Sequence, residues 1–262
     1  MHRITLLTDF GTADGYVAAM KGAIAQVAPE AIIDDAAHDI PPGDVEAAAF
    51  TLARYWRLYP PGTVHVVVVD PGVGTERRTI AARVDGRFFV APDNGVLSHV
   101  LDEARAEAIH AIENPALRRD VVSATFHGRD IFAPAAAHLA HGTPLDAFGP
   151  AIDDPVVLPI PRPERSGREI RGHVVAVDRF GNLITNVPGA WLSPRARVAM
   201  AGRDVGPLRR TYADAPPGGL LALVGSTGML EISVRDGSAA MTLDATRGAG
   251  VTIWEEDGHG ER

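Results

Sequence analysis

Residues Val64 to Val69 read VHVVVV and run directly into Asp70-Pro71-Gly72. A stretch so rich in β-branched residues, broken only by His65, predicts a strand buried on both faces. Strands of that kind sit in parallel sheets covered by helices on each side. The neighbouring segments fit this frame. Ile4 to Leu7 predicts a short strand, ending in the turn Thr8-Asp9-Phe10-Gly11. Tyr16, Met20, Ile24 and Val27 recur at helical spacing, and Pro29 marks the end of that helix. Ile32 and Ile33 suggest another strand. Asp44 suits the N-cap of a helix running through Ala47 to Tyr59, closed by Pro60-Pro61-Gly62. A strand over Arg87 to Ala91, a helix over Gly95 to Glu103 and an Ala-rich helix over Asp130 to His141 follow. This alternation predicts an α/β domain over residues 1–160 with a largely parallel sheet.

The texture changes near Pro155. Pro155, Pro159, Pro161 and Pro163 lead into Ser166-Gly167, the composition of a semi-rigid linker. Beyond it the apolar runs are short and separated by Gly-rich turns: Gly172 to Val177, Leu183 to Asn186, Arg197 to Met200, Leu220 to Val224, Leu230 to Val234 and Val251 to Trp254. They predict a smaller, all-β, barrel-like domain over residues 168–262.

Composition narrows the chemistry. Lys and Arg number 25 against 33 Asp and Glu, a net charge of -8, which argues against a nucleic-acid partner. The chain has no cysteine, so disulfides, thiolate metal sites and a cysteine nucleophile are excluded. No run approaches the ~20 apolar residues that span a bilayer. The N-terminus does not have the pattern of a signal peptide, so no membrane partner and a cytoplasmic location are expected. Neither a Gly-x-Ser-x-Gly elbow nor a phosphate-cradling Gly-Lys-Ser/Thr loop occurs, which disfavours serine-hydrolase and P-loop chemistry.

Several polar segments fall where strands end, the place where open α/β sheets bind ligands. Asp9 can accept hydrogen bonds from two ribose hydroxyls, or cap a helix. Asp70-Pro71-Gly72-Val73-Gly74-Thr75-Glu76-Arg77-Arg78 lets backbone approach a ligand, or forms a tight turn with a surface Arg pair. Pro92-Asp93-Asn94-Gly95 suits a turn and a helix start. In Phe126-His127-Gly128-Arg129-Asp130, His127 is a catalyst or a packing residue, and Asp130 a helix cap. His138 and His141 are half of a metal pattern at most, and His38 says nothing alone. In Asp178-Arg179-Phe180-Gly181-Asn182, the amide of Asn182 can read adenine and Phe180 can offer a face to a purine; a hairpin turn is the plainer reading.

Taken together and in order, Thr8-Asp9-Phe10-Gly11, Val69-Asp70-Pro71-Gly72-Val73-Gly74, Ala91-Pro92-Asp93-Asn94-Gly95, Phe126-His127-Gly128-Arg129-Asp130 and Asp178-Arg179-Phe180-Gly181-Asn182 closely resemble the S-adenosylmethionine hydroxide adenosyltransferases. These are relatives of the S-adenosylmethionine-dependent chlorinase and fluorinase. The resemblance covers nearly the whole chain. It implies hydrolysis of S-adenosylmethionine to adenosine and methionine without a metal or cofactor. It also implies a homotrimer with sites at subunit interfaces. An Asp-Arg-His triad around the nucleophilic water is implied at Asp70, Arg77 and His127, and its presence favours water over halide. Asp9, Asp70, Asn182, Ser226, Glu231 and the backbone near Val234 match adenosine-binding positions. Arg235 stands where relatives commonly have Asn. Three rivals remain: a non-catalytic adenosine or S-adenosylmethionine sensor, a metal-dependent hydrolase built on Asp9, His38, Asp70, His127 and Asp130, and halide transfer.

Overall fold

The computed structural model describes residues 3–255. The chain divides into two compact units between Ile160 and Pro161.

The first unit opens with strand β1 (Arg3–Thr8), helix α1 (Tyr16–Val27), strand β2 (Ile32–Ala37), helix α2 (Val45–Ala53) and strand β3 (Val64–Val68). Strands β4 (Thr79–Val84) and β5 (Arg87–Pro92), helix α3 (Ser98–Glu103), strand β6 (Ala106–Ala111) and helix α4 (Ala133–Ala140) follow. The sheet order is β2-β1-β3-β5-β4-β6. β2, β1, β3 and β5 run parallel, while β4 pairs antiparallel with β5 and β6.

Side-chain alternation along the strands builds two separate cores. Ile4, Leu6, Val64, Val66 and Val68 pack with α1 and α4. Leu7, Val67, Val69, Ile80 and Phe89 pack with α2, α3 and Trp56 on the other face. This is why the run Val64 to Val69 is apolar throughout: every one of its positions is buried. His65 is the polar exception, fully buried, with Nδ1 2.9 Å from Thr5 Oγ1.

Several element limits differ from the expected ones. Asp44 does cap α2, accepting the Ala47 N–H at 3.0 Å. That helix stops at Ala53, and a separate 3₁₀ turn at Trp56–Leu58 inserts Trp56 into the core. α3 starts at Ser98 rather than Gly95, because Asn94 is used in a turn: its amide donates to the Val69 carbonyl at 2.9 Å. Residues Gly128–Phe132 form a π-helical turn ahead of α4. Asp130 therefore caps nothing. It is fully buried and accepts from Ser123 N–H, Arg129 and Arg119. Part of the Pro-rich stretch is not a free linker: Val156 N–H donates to Asp93 and Leu158 N–H to Ser98.

The second unit contains strands β7 (Glu164–Ser166), β8 (Glu169–Val177), β9 (Leu183–Pro188), β10 (Arg197–Met200), β11 (Arg203–Arg209), β12 (Leu220–Val224) and β13 (Met229–Val234). Helix α5 (Ala239–Leu243) and strand β14 (Gly250–Trp254) complete it. The order β14-β10-β11-β12-β13-β9-β8 closes because β14 also pairs with β8, so seven strands form a barrel and β7 adds to its side. Its core holds Ile170, Val174, Leu183, Val198, Leu230, Ile232 and Ile253.

Candidate active site

β1 lies between β2 and β3, so the chain leaves β1 toward one side and returns on the other. Ligands bind at such a switch point, beyond the carboxyl ends of the strands. Thr8 ends β1 opposite Val68 of β3, which sets Asp9 and Asp70 side by side just past the sheet. The cleft there has a volume of about 320 Å³. Asp9, Phe10, Tyr16, Asp70, Phe126 and His127 are among its lining residues.

One guanidinium ties together two of the residues that line this cleft. Arg77 Nε donates to both oxygens of Asp70 at 2.9 Å, and its Nη2 also meets Asp70 Oδ2. The same Nη2 lies 2.7 Å from His127 Nδ1. The side chains of Arg77 and Asp70 are 11% and 5% exposed, so bulk water screens their pairing little. The arginine also rests over the Phe132 ring at 5.4 Å.

Local structure explains how residues so far apart converge. The loop from Asp70 to Arg77 is a tight hydrogen-bonded coil, with Val73 N–H to Asp70 and Thr75 N–H to Gly72. Gly74 sits there at φ +79°. A Cβ at Gly74 would come within 2.4 Å of the Ala124 carbonyl oxygen, so only glycine lets the loop close onto the segment carrying His127. His127 caps the π turn, a helix irregularity frequent at functional sites.

The contact with Arg77 fixes the imidazole's proton. A guanidinium can only donate, so Nδ1 accepts and the ring proton sits on Nε2. Burial, and after it the Arg77 charge, hold His127 below its ordinary value of 6.5; Asp70 and Asp130 pull the other way. His127 is thus a neutral ring with one N–H to offer.

The other expected residues are placed as follows. Asp9 caps no helix; Gly15 holds the N-cap of α1, and Asp9 Oδ2 accepts the Gly43 N–H at 2.8 Å. Asp93 is buried and pairs with Arg78, which also grips Asp154. This segment is structural, anchoring the chain after the sheet. Among the described residues, no three His, Asp or Glu side chains converge as a metal site would need. Asp70 and His127 face a cation, His38 is bonded to Thr8 and Asp35, and Asp130 is bound by arginines.

In the second unit, the β8–β9 hairpin turn is held by Asp178, which accepts the Phe180 and Asn182 N–H groups and the Asn182 amide, each at 2.9 Å. Phe180 projects from it, 75% exposed. Leu183 pairs with Ile232, which brings Asn182 beside Ser233 and Val234. Glu231 is buried and accepts from Tyr212 at 2.6 Å and Ser233 at 2.9 Å. The Glu231 bond, and burial after it, push the Tyr212 hydroxyl up to about 12. Gly225, next to the exposed Ser226, packs so closely on Glu231 that a Cβ would lie 2.6 Å from its Oε2. Ser226 thus sits beside the Glu231 end of the β12–β13 pair, while Val234 lies at its other end, in the barrel core. Arg235 points elsewhere, donating to the Ala215 carbonyl at 2.9 Å below the Tyr212 turn.

Sequence reasoning missed Thr8, Asp35 and Tyr212 as partners of site residues. Only His38 in its short polar segment signalled the first two, and nothing in sequence links Tyr212 to Glu231.

A switch-point cleft lined by an acid and an imidazole that one guanidinium ties together has the form of a small-molecule-binding site in an α/β protein. Comparison with known proteins gives that class its family. The model for the SAM hydroxide adenosyltransferase N-terminal domain matches residues 4–149, and that for the C-terminal domain matches residues 172–252. The chain belongs to the SAM hydroxide adenosyltransferase family. It is 44% identical to the (R)-S-adenosyl-L-methionine hydrolase of Salinispora arenicola, over 94% of this chain and 95% of that one. A crystal structure of a Thermotoga maritima protein superposes with a TM-score of 0.91 at 37% identity, over 96% of this chain and all of that one. The fluorinase of Nocardia brasiliensis is a more distant relative, 28% identical over 95% of this chain and 96% of its own.

Proposed function

We infer that this chain hydrolyses S-adenosylmethionine to adenosine and methionine, acting on the R epimer at sulfur. The 44% identity to an (R)-S-adenosyl-L-methionine hydrolase supports the activity. The carrying observation for the mechanism is Arg77 bridging Asp70 and His127, two residues that line one cleft.

In this reading water attacks the ribose C5′ in line with the sulfonium. A C–O bond forms as the C–S pair leaves on sulfur, giving a neutral thioether. The leaving group needs no proton and no Lewis acid, so the reaction is proposed to be metal-independent. The work lies in holding the water, and positioning of this kind can supply ~7–11 kcal/mol of a barrier. His127 donates its Nε2–H to the water oxygen and directs a lone pair at carbon. Arg77 stabilises hydroxide character. The attacking water becomes strongly acidic once bonded to carbon, so even a guanidinium-paired carboxylate can take its proton; Asp70 is the acceptor.

Asp9 holds the ribose hydroxyls. Asn182, Ser226, Glu231 and the Val234 backbone take the adenine side, with Phe180 against the purine. A homotrimer, in which the first unit of one subunit and the barrel of the next share a substrate, is part of the proposal, as is a cytoplasmic location. For the described residues, no helix is long and apolar enough to cross a membrane.

Incubation with S-adenosylmethionine in ¹⁸O-labelled water with chloride present tests the reading. Label should appear on adenosine C5′, with no chlorinated nucleoside. Label in methionine, a 5′-chloro product or no adenosine at all refutes it.

A further inference from the structure

His38 lies outside the water-activating cluster, yet it grips the Asp9 turn at both ends. Its Nδ1 is 2.9 Å from Thr8 Oγ1, and its Nε2 is 3.0 Å from Asp35 Oδ1. Its carbonyl oxygen accepts the Gly11 N–H at 2.8 Å. An ionised carboxylate only accepts, so the imidazole N–H points to Asp35. Nδ1 is then the acceptor, and Thr8 gives it the hydroxyl proton. The Thr8 oxygen keeps its lone pairs for the Phe10 N–H, 3.2 Å away. Residues 8 and 11 are therefore both fixed to one histidine, with Asp9 and Phe10 between them. Thr8 is 0% exposed and His38 7%, so water competes for neither. Lys21 holds the other oxygen of Asp35 at 2.6 Å.

The order Asp35–His38–Thr8 has the connectivity of a hydrolase triad. Thr8, however, is wholly buried and does not line the cleft, so its hydroxyl attacks nothing. We propose that His38 is a positioning residue: the chain Lys21–Asp35–His38–Thr8 sets the aim of the Asp9 carboxylate into the cleft. This rests on the reading of Asp9 as the ribose ligand. Asp9 itself has one oxygen on the Gly43 N–H and needs the turn held still to present the other.

The test uses the full chain and its variants His38→Leu, His38→Gln and Lys21→Met, with kcat and KM for S-adenosylmethionine and calorimetric affinity for adenosine. Ribose contacts serve ground and transition states alike, so their loss raises KM and spares kcat. His38→Leu should raise KM and the adenosine Kd about tenfold, with kcat within about threefold. His38→Gln should recover most of this, because an amide can donate to Asp35 and accept from Thr8. Lys21→Met, at a half-exposed site safe for folding, should show a KM-only rise of about twofold and carries the test if His38→Leu does not fold. Wild-type KM and adenosine affinity in His38→Leu, or in Lys21→Met where that variant must decide, overturn the proposal while leaving the hydrolase reading intact. So does a loss confined to kcat. A wild-type chain that neither hydrolyses S-adenosylmethionine nor binds adenosine overturns both.

Discussion

Replacing Arg77 by Ala removes the one group that touches both other members of the cluster. The loss can be counted from the contacts. Asp70 loses a fork of bonds and His127 the partner at its Nδ1. A hydrogen bond to a charged group is worth ~1.5–3 kcal/mol, so two such contacts amount to ~3–6 kcal/mol. At ~1.4 kcal/mol per factor of ten, kcat should fall ~10²- to 10⁴-fold. KM and adenosine affinity should change by less than about threefold, because in the proposed mechanism these contacts orient water rather than substrate. The cleft carboxylate is also left unpaired, so the variant should be less stable and is best assayed well below its Tm. Arg77→Lys is the informative companion. It keeps a charge near Asp70 but cannot present a fork and reach His127 together, so it should be stable yet slow. Adenosine release, followed chromatographically, measures kcat and KM. Equal loss in binding and turnover, or an Arg77→Lys variant with wild-type kcat, would show that Arg77 is not part of the water-holding apparatus.

Two pH effects follow from imidazoles held near arginines. Protonating His127 places a second cation against Arg77 and ends the Nδ1 contact. Since its folded-state pKa lies below 6.5, the acid limb of kcat/KM should have its midpoint below 6.5. In Arg77→Ala that limb should move upward; a wild-type midpoint at or above 6.5 refutes the assignment. His65 acts on stability instead. Burial, then the Arg87 charge, push it down to about 3 from 6.5, and among the described residues no partner of normal geometry meets its Nε2. Between those values the unfolded chain binds a proton that the folded chain refuses. Stability therefore rises with pH across this window and is lost as pH falls below 6.5, by about 2 kcal/mol at pH 5. Denaturant unfolding of His65→Leu should show a slope flatter by about one proton; an unchanged slope would mean that His65 titrates normally.

The main frame was legible because it rests on periodicity. The Val64 to Val69 run, the helical spacing from Tyr16 and the Gly-punctuated second half each declare their burial in sequence. β4 and β6 were not anticipated, since their Ala-rich runs share the apolar texture of helices and their pairing is settled only by the neighbouring strand. The cluster at Asp70, Arg77 and His127 entered through resemblance. No local pattern shows that a coil at Gly74 will set residues 70 and 127 on one guanidinium. His38 was opaque for the same reason: its partners lie 30 residues upstream and three back, and only the parallel pairing of β1 with β2 brings them together. The Pro-rich stretch misled in part, because backbone bonds to Asp93 and Ser98 are invisible in composition.

The π turn at Gly128–Phe132 carries one residue more than a regular helix would use there. A chain shortened by one residue in this stretch could relax into continuous α-helix and gain from better backbone bonding. Everything ahead of α4 would then rotate by ~100° about the helix axis, the angular step of one residue. The imidazole would swing away from the guanidinium, leaving a sturdier protein without the group proposed to aim the water. Selection for robustness alone would therefore erase this surplus residue, and its persistence across a lineage would record demand for the reaction.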